Sequence, residues 1–212
     1  MSYQYTAIGD SLTTGFGALP GNGFVPVYRR MAEVKLRGFV AYSNLGVNGL
    51  ISSELDRRVE RYSAYRQSLR EADIITISIG GNDLIRAAKA AQSQPSNSSR
   101  ILRSALEECK QHFSNVVGQV YRLKSGSRKP YIIRAVGLYN PYPQIGEATD
   151  WVLQFNRYAG QYTNQVYGLA NIYPDFVGRE RELLFLDHLH PNGRGYRTIA
   201  EHLNALGYGR LG

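Results

Sequence analysis

Ser11, Asp187 and His190 are the residues whose types and surroundings most directly suggest chemistry. Ser11 follows Gly9-Asp10 at the end of a short apolar run, where the chain turns toward a helical pattern. Backbone N–H groups at such a turn are unpaired and can hold an anion. A serine hydroxyl is a poor nucleophile until a base removes its proton. Taken alone, a serine here is better explained as a helix cap or turn residue. Asp10 reads as structural, holding the turn through backbone hydrogen bonds. The surrounding pattern is not the Gly-x-Ser-x-Gly nucleophile elbow.

The base is sought in Asp187-His188-Leu189-His190-Pro191. A carboxylate three residues before a histidine in a turn accepts its Nδ1–H and leaves Nε2 free to take a serine proton. Pro191 biases His190 toward an extended backbone. His188 is the competitor, but it adjoins Asp187 directly, a poor geometry for a side-chain pair. Asp187 as a turn residue and His190 as a surface histidine are the plain alternatives. His112 and His202 fall within helical patterns and read as structural. A tetrahedral intermediate also needs N–H donors aimed at its charge. Gly49, in a loop that lets the backbone approach closely, and the Asn82 side chain are the candidates. The competing reading of Gly80-Gly81-Asn82-Asp83 is a turn and helix start capped by Asn82 or Asp83.

These residues must be positioned by what lies between them. Strands are expected at 5–8, 39–43, 73–79, 131–136 and 170–173, from short apolar, β-branched runs bounded by turn residues. Helices are expected at 24–37, 101–124, 149–169 and 195–206, with a charged and interrupted one at 52–69. Residues 92–99 read as a surface loop. Alternating strands and helices imply an α/β fold, a parallel sheet covered on both faces. Sites in such sheets lie beyond the carboxyl ends of the strands, and Ser11, Gly49 and Asn82 all follow strands. With 212 residues and no repeat or clear linker, a single domain over 1–212 is expected.

Composition narrows the classes. Hydrophobic residues make up 43% and charged residues 20%, a globular mixture. No apolar run is long enough to span a bilayer, and the N-terminus lacks the basic and apolar regions of a signal peptide, so a cytoplasmic location is expected. Cys109 stands alone and cannot form an internal disulfide. No His-Glu-x-x-His or similar ligand set occurs, so neither metal nor cofactor is expected. The net charge of +8, from 25 Lys and Arg against 17 Asp and Glu, favours anionic partners such as lipid surfaces. Arg57, Arg58, Arg61, Arg66 and Arg70, interleaved with Tyr62 and Tyr65, form one candidate patch, although a solvated helix face explains them better. No nucleic-acid-binding signature accompanies the charge.

Four clusters, in order along the chain, resemble the blocks of the SGNH hydrolases, or GDSL lipases and esterases. They are Ile8-Gly9-Asp10-Ser11-Leu12-Thr13, Asn44-Leu45-Gly46-Val47-Asn48-Gly49, Ile79-Gly80-Gly81-Asn82-Asp83 and Asp187-His188-Leu189-His190-Pro191. The resemblance spans nearly the whole chain. It implies a three-layer α/β/α sandwich on a flavodoxin-like parallel sheet of about five strands. It implies Ser11 as nucleophile, His190 as base and Asp187 as its partner. The Ser11 N–H, the Gly49 N–H and the Asn82 side chain would form the oxyanion hole, with Gly46 the less favoured glycine. The size of the chain looks like that of small Bacillus-type members, some of them spore-associated. The implied activity is an esterase or lipase, with Leu12, Phe16, Leu19, Leu50, Ile51, Leu84 and Ile85 flanking the catalytic loops. A carbohydrate O-deacetylase is the alternative within enzymes, and a non-catalytic binding or coat protein the alternative of another class.

Overall fold

The computed structural model describes residues 1–212. Five strands form one parallel sheet: β1 (Ser2–Gly9), β2 (Phe39–Gly46), β3 (Ile74–Ser78), β4 (Ile132–Val136) and β5 (Tyr167–Ala170), in the order β2-β1-β3-β4-β5. The helices are α1 (Ser11–Thr14), α2 (Phe24–Leu36), α3 (Ser52–Arg61), α4 (Ser63–Glu71), α5 (Gly81–Ser93), α6 (Ser98–Lys124), α7 (Gly146–Gly160), α8 (Tyr173–Phe176), α9 (Glu180–Leu183) and α10 (Gly193–Ala205).

Alternation along the strands divides the core in two. Ile8, Ile75, Ile77, Ile133 and Ala135 join a cluster of 27 buried residues with Leu55, Leu69, Phe113 and Phe155 from α3, α4, α6 and α7. Tyr5, Ala7, Ile74, Ile132 and Val136 face the other way, into a cluster of 23 with Phe24 and Tyr28 of α2 and Tyr196 and Ile199 of α10. A parallel sheet buried on both faces between helical layers is the expected three-layer sandwich.

Register decides where chemistry can sit. Gly9 of β1 pairs with Gly46 of β2 on one side and with Ser78 of β3 on the other. The loops after the three strands therefore leave the sheet side by side. The order also reverses here, since β1 connects to β2 on one side and β3 lies on the other. This is the switch point at which open α/β sheets bind ligands.

Several expected boundaries are corrected. The fifth strand is Tyr167–Ala170 rather than 170–173, and the helix expected over 149–169 begins at Gly146 and ends at Gly160. Asn164 causes the break, because its Oδ1 accepts the N–H groups of Val166 and Tyr167 and turns the chain into β5. Residues 173–176, partly assigned to that strand, form α8, with a proline in its first turn. The 92–99 loop is largely helical, with α5 running to Ser93, a 3-10 turn over Pro95–Asn97 and α6 starting at Ser98. β1 and β2 are longer than expected. Their unbroken pairing from Ser2↔Phe39 to Gly9↔Gly46 carries polar Asn44 into the sheet. The 52–69 helix does break, at Tyr62.

Gly9 holds the switch point closed. Its φ is +145°, and a Cβ there would collide with the Ser78 carbonyl oxygen and meet the Thr13 hydroxyl at 2.8 Å. Overpacking and backbone strain each cost on the order of 1–3 kcal/mol. Gly9→Ala should therefore lower unfolding stability by about 3 kcal/mol or more, read from the urea midpoint.

Candidate active site

Ser11 is the first residue of α1, and Asp10 caps that helix by accepting the Leu12 N–H at 3.0 Å. The same oxygen, Asp10 Oδ1, accepts from the Ser78 hydroxyl at 2.8 Å. The Thr13 and Ser78 hydroxyls lie 2.7 Å apart, and the Thr13 hydroxyl also donates to the Ile8 carbonyl at 3.2 Å. The turn carrying Ser11 is thus tied to the end of β3 by side chains as well as by the Asp10 N–H, which donates to the Ser78 carbonyl. Gly15 closes α1 in a left-handed conformation, with φ 82°.

The histidine comes from the other end of the chain. His190 Nε2 lies 2.9 Å from Ser11 Oγ, and His190 Nδ1 lies 2.6 Å from Asp187 Oδ2. A ring nitrogen facing a carboxylate carries the proton, which leaves the Nε2 lone pair directed at Ser11. Asp187 Oδ1 accepts the backbone N–H groups of Leu189 and His190, both at 3.0 Å. Partial burial pushes the Asp187 carboxyl up, but the hydrogen bonds from the His190 ring and from these two N–H groups outweigh it and hold the carboxyl below its ordinary range. His188 occupies a left-handed turn, with φ 55°, and takes no part in this chain of contacts.

Two tyrosines set the loops. Tyr139 donates to the Leu189 carbonyl at 2.6 Å, just before His190, and Tyr196 donates to the Phe16 carbonyl at 2.7 Å, just after α1. The Phe16 ring packs on the His190 ring, with centroids 4.6 Å apart.

The N–H groups of Ser11 and Gly49 donate to no acceptor in the protein. Gly49 has φ 75°, and a Cβ there would meet nothing within 4 Å, so conformation rather than space calls for glycine. Gly46 differs, because its N–H is committed to Asn44 Oδ1 at 3.0 Å and its bare Cα lets α1 approach β2. Asn82 faces the same cavity as Ser11 and His190. Its amide donates to the Leu50 carbonyl at 3.0 Å, which uses one of its two N–H bonds and fixes the plane of the other. Neither Asn82 nor Asp83 caps α5, since the cap is Gly80, with φ 112°. Asp83 reaches across to α3 instead and accepts from the Ser52 hydroxyl at 2.6 Å and the Ser52 N–H at 3.0 Å. Burial raises its carboxyl against those hydrogen bonds. Asn82 and Asp83 together stitch the Gly49 loop to the start of α5.

The cavity beside Ser11 holds about 60 Å³ and is mostly apolar. Leu12, Leu84 and Ile85 line it as the sequence suggested. Leu50 is core, whereas Leu19 stands in solvent. Sequence reasoning missed Leu138, Tyr139, Pro141 and Tyr142, which follow β4, and Val152 of α7. The first four sit beyond a strand's carboxyl end, so the rule that located Ser11 would have found them too.

Comparison with known proteins gives the family. The family model for GDSL-like Lipase/Acylhydrolase matches residues 5–203. The chain belongs to that family. It is 35% identical to the spore germination lipase LipC of Bacillus licheniformis, over 100% of this chain and 99% of that protein. Among solved structures, the lipase Lip_vut3 from a goat rumen metagenome is 35% identical with a TM-score of 0.92, covering 99% of this chain and 100% of that one. The fold is also shared with Axe2, an acetylxylan esterase from Geobacillus stearothermophilus, at 17% identity and a TM-score of 0.69, over 94% of this chain and 91% of that one. As a GDSL lipase/esterase, the chain is a carboxylic ester hydrolase.

The GDSL aspartate, Asp10, has an environment opposite to that of Asp187. Burial dominates and pushes its carboxyl up to about 7, against hydrogen bonds from Ser78 and Leu12. The folded chain keeps this proton between about pH 4 and 7 while the unfolded chain releases it. Stability therefore falls as pH rises through that window and is level above it. Asp10→Asn, which has no proton to lose, should lose less stability between pH 5 and pH 8 than the parent, measured by chemical denaturation at both. An equal loss in the two proteins would mean that Asp10 is ionised throughout.

Proposed function

We propose that residues 1–212 act as one catalytic domain that cleaves esters of apolar acyl groups through an acyl-enzyme on Ser11. The observation that carries this reading is the continuous run of contacts from Ser11 Oγ through the His190 ring to Asp187. Ser11 Oγ attacks the ester carbonyl while Nε2 of His190 takes its proton, and Asp187 steadies the imidazolium that results. The carbonyl oxygen becomes an oxyanion held by the Ser11 N–H, the Gly49 N–H and the free N–H of Asn82. Collapse breaks the ester C–O bond, and the departing alcohol takes the proton from His190. Water then repeats the sequence on the acyl-enzyme, releasing the acid and restoring Ser11.

The mostly apolar wall of the cavity favours an acyl chain over a sugar, and lipid esters at an anionic surface suit both this wall and the net positive charge. The likeness to an acetylxylan esterase is one of fold. The name of the LipC relative makes the germinating spore a setting in which to look for the substrate.

A fluorophosphonate probe should label Ser11, located by mass spectrometry, and the label should vanish in Ser11→Ala. Undiminished labelling of that variant would falsify the acyl-enzyme. For the oxyanion donor, Asn82→Ala should lower kcat by roughly 100- to 1,000-fold with KM little changed, or about 2.7–4 kcal/mol. Loss of its hydrogen bond to Leu50 should cost only about 1 kcal/mol of stability. Kinetics and melting on one preparation separate the two effects. A variant that melts early yet turns over normally would make Asn82 a purely structural residue.

A further inference from the structure

The two loops that bring Ser11 and His190 together also shape the outside of the molecule. Residues 15–23 and 185–193 lie against each other: a Cβ on Gly17 would stand 3.1 Å from Phe185 Cβ, and one on Gly193 would stand 3.9 Å from Asn22 Cβ. On their outer side they expose Phe16, Leu19, Phe185 and Leu186, with Leu19 75% and Leu186 84% accessible. Single exposed apolar residues need no explanation, but four on two adjoining loops beside the catalytic histidine form a cluster.

The same loops continue into a groove of about 1,100 Å³ beside α2 and the start of α10. Arg30, Lys35, Arg37, Arg181, Arg194 and Arg197 line it, with Glu182 as the one acidic residue. Glu182 is already held by Arg179 outside the groove, at 2.9 Å and 3.0 Å, and Arg197 is paired with Glu201. Arg30 donates to the Gly21 carbonyl and so joins the groove to the loop that carries Leu19. Five cations therefore share one open surface without a carboxylate partner. Like charges gathered in this way repel one another and attract an anionic partner. Of the arginines on α3 and α4, Arg58 lies over the Tyr62 ring, Arg61 pairs with Glu60, and Arg66 donates to the Glu60 carbonyl.

We propose that this face docks on an anionic phospholipid surface. Phe16, Leu19, Phe185 and Leu186 enter the boundary between headgroups and acyl chains, and the groove cations lie over the phosphates. The juxtaposition selects this partner. A soluble polyanion has no use for the apolar cluster, and a neutral polysaccharide has none for the cations. An interfacial site uses both together. The inference rests on the reading of the chain as acting on lipid esters.

Binding is measured apart from turnover by sedimenting the Ser11→Ala protein with vesicles. These are made of equal phosphatidylglycerol and phosphatidylcholine, or of phosphatidylcholine alone. Partitioning should favour the anionic vesicles and fall steeply at about 1 M salt, where the Debye length is about 3 Å. Arg181→Glu with Arg194→Glu should weaken partitioning by at least about 30-fold. Leu19→Asp should weaken it even at low salt. In the Ser11-intact protein, all three substitutions should leave turnover of a soluble short-chain ester unchanged. The proposal is overturned if the parent does not partition, if partitioning ignores the charge reversals, or if inorganic polyphosphate binds more tightly than the vesicles. Hydrolysis of phospholipid without vesicle binding would remove the docking face and leave the lipid-ester reading standing. Vesicle binding without phospholipid hydrolysis would do the reverse.

Discussion

The hydrogen bond between Ser11 and His190 joins groups 179 residues apart, and most of the architecture can be understood as what makes that bond short. Ser11 is held from within the sheet, by the cap of Asp10 and the link from Asp10 to Ser78. His190 is held from outside it, by a loop with no regular structure of its own. That loop is braced instead by three kinds of contact. The Phe185 N–H donates to the His190 carbonyl, Leu184 and Pro191 form an isolated antiparallel bridge, and the Tyr139 hydroxyl caps the Leu189 carbonyl. A backbone turn fixed in this way leaves the imidazole little freedom beyond the orientation that Asp187 sets, so the entropy of assembling the pair is spent in folding.

Two aspartates lie close to Ser11 in sequence or in space, and their environments drive them apart. Asp187 is partly exposed and receives three hydrogen bonds, which stabilise its charge. Asp10 is buried, and both of its hydrogen bonds fall on one oxygen, so burial prevails and its proton is retained to higher pH. A lasting negative charge therefore stands behind His190, where an imidazolium forms during acyl transfer. A carboxyl whose burial disfavours its charge stands beneath the serine turn. Divergent carboxyl environments are a general means of giving one residue type two roles.

Legibility in the sequence followed the range of each interaction. Asp187 and His190 are three residues apart, and Ser11 follows its strand at once, so local patterning sufficed to nominate them and the structure brings them together. The glycine pair Gly46 and Gly49 was harder, because the two stand three residues apart at the end of β2 and in the loop that follows it. The pairing of the Gly46 N–H with Asn44, the close approach of α1 to Gly46 and the positive φ of Gly49 separate them. Asp83 could not be read at all, since its partner Ser52 lies 31 residues away on another helix and nothing local distinguishes a carboxylate that caps its own helix from one that caps a neighbour. The end of α7 and the start of β5 were misplaced for a related reason. Residues 161–169 keep an apolar content compatible with a helix, and the turn made by Asn164 outweighs it. Charge was the least legible property. The densest run of arginines in the sequence is only partly engaged with its own helices, whereas the groove cations are gathered from α2 and the residue after it, α9 and α10, and become neighbours only after folding.

The roomy groove and the small cavity beside Ser11 serve different terms of the energetics. Attraction of a charged face to a surface is felt alike by bound substrate and transition state, so it raises local substrate concentration and cannot lower the chemical barrier. The barrier responds only to groups whose interactions strengthen as the oxyanion develops, and these are confined to the space around Ser11, Gly49 and Asn82. Separation of the two carries an advantage for the fold. The five cations sit where water screens their mutual repulsion, and the oxyanion donors are neutral N–H groups that can be buried without the cost of a charge. A cationic donor inside the 60 Å³ cavity would have to be desolvated, a cost that the neutral N–H donors avoid.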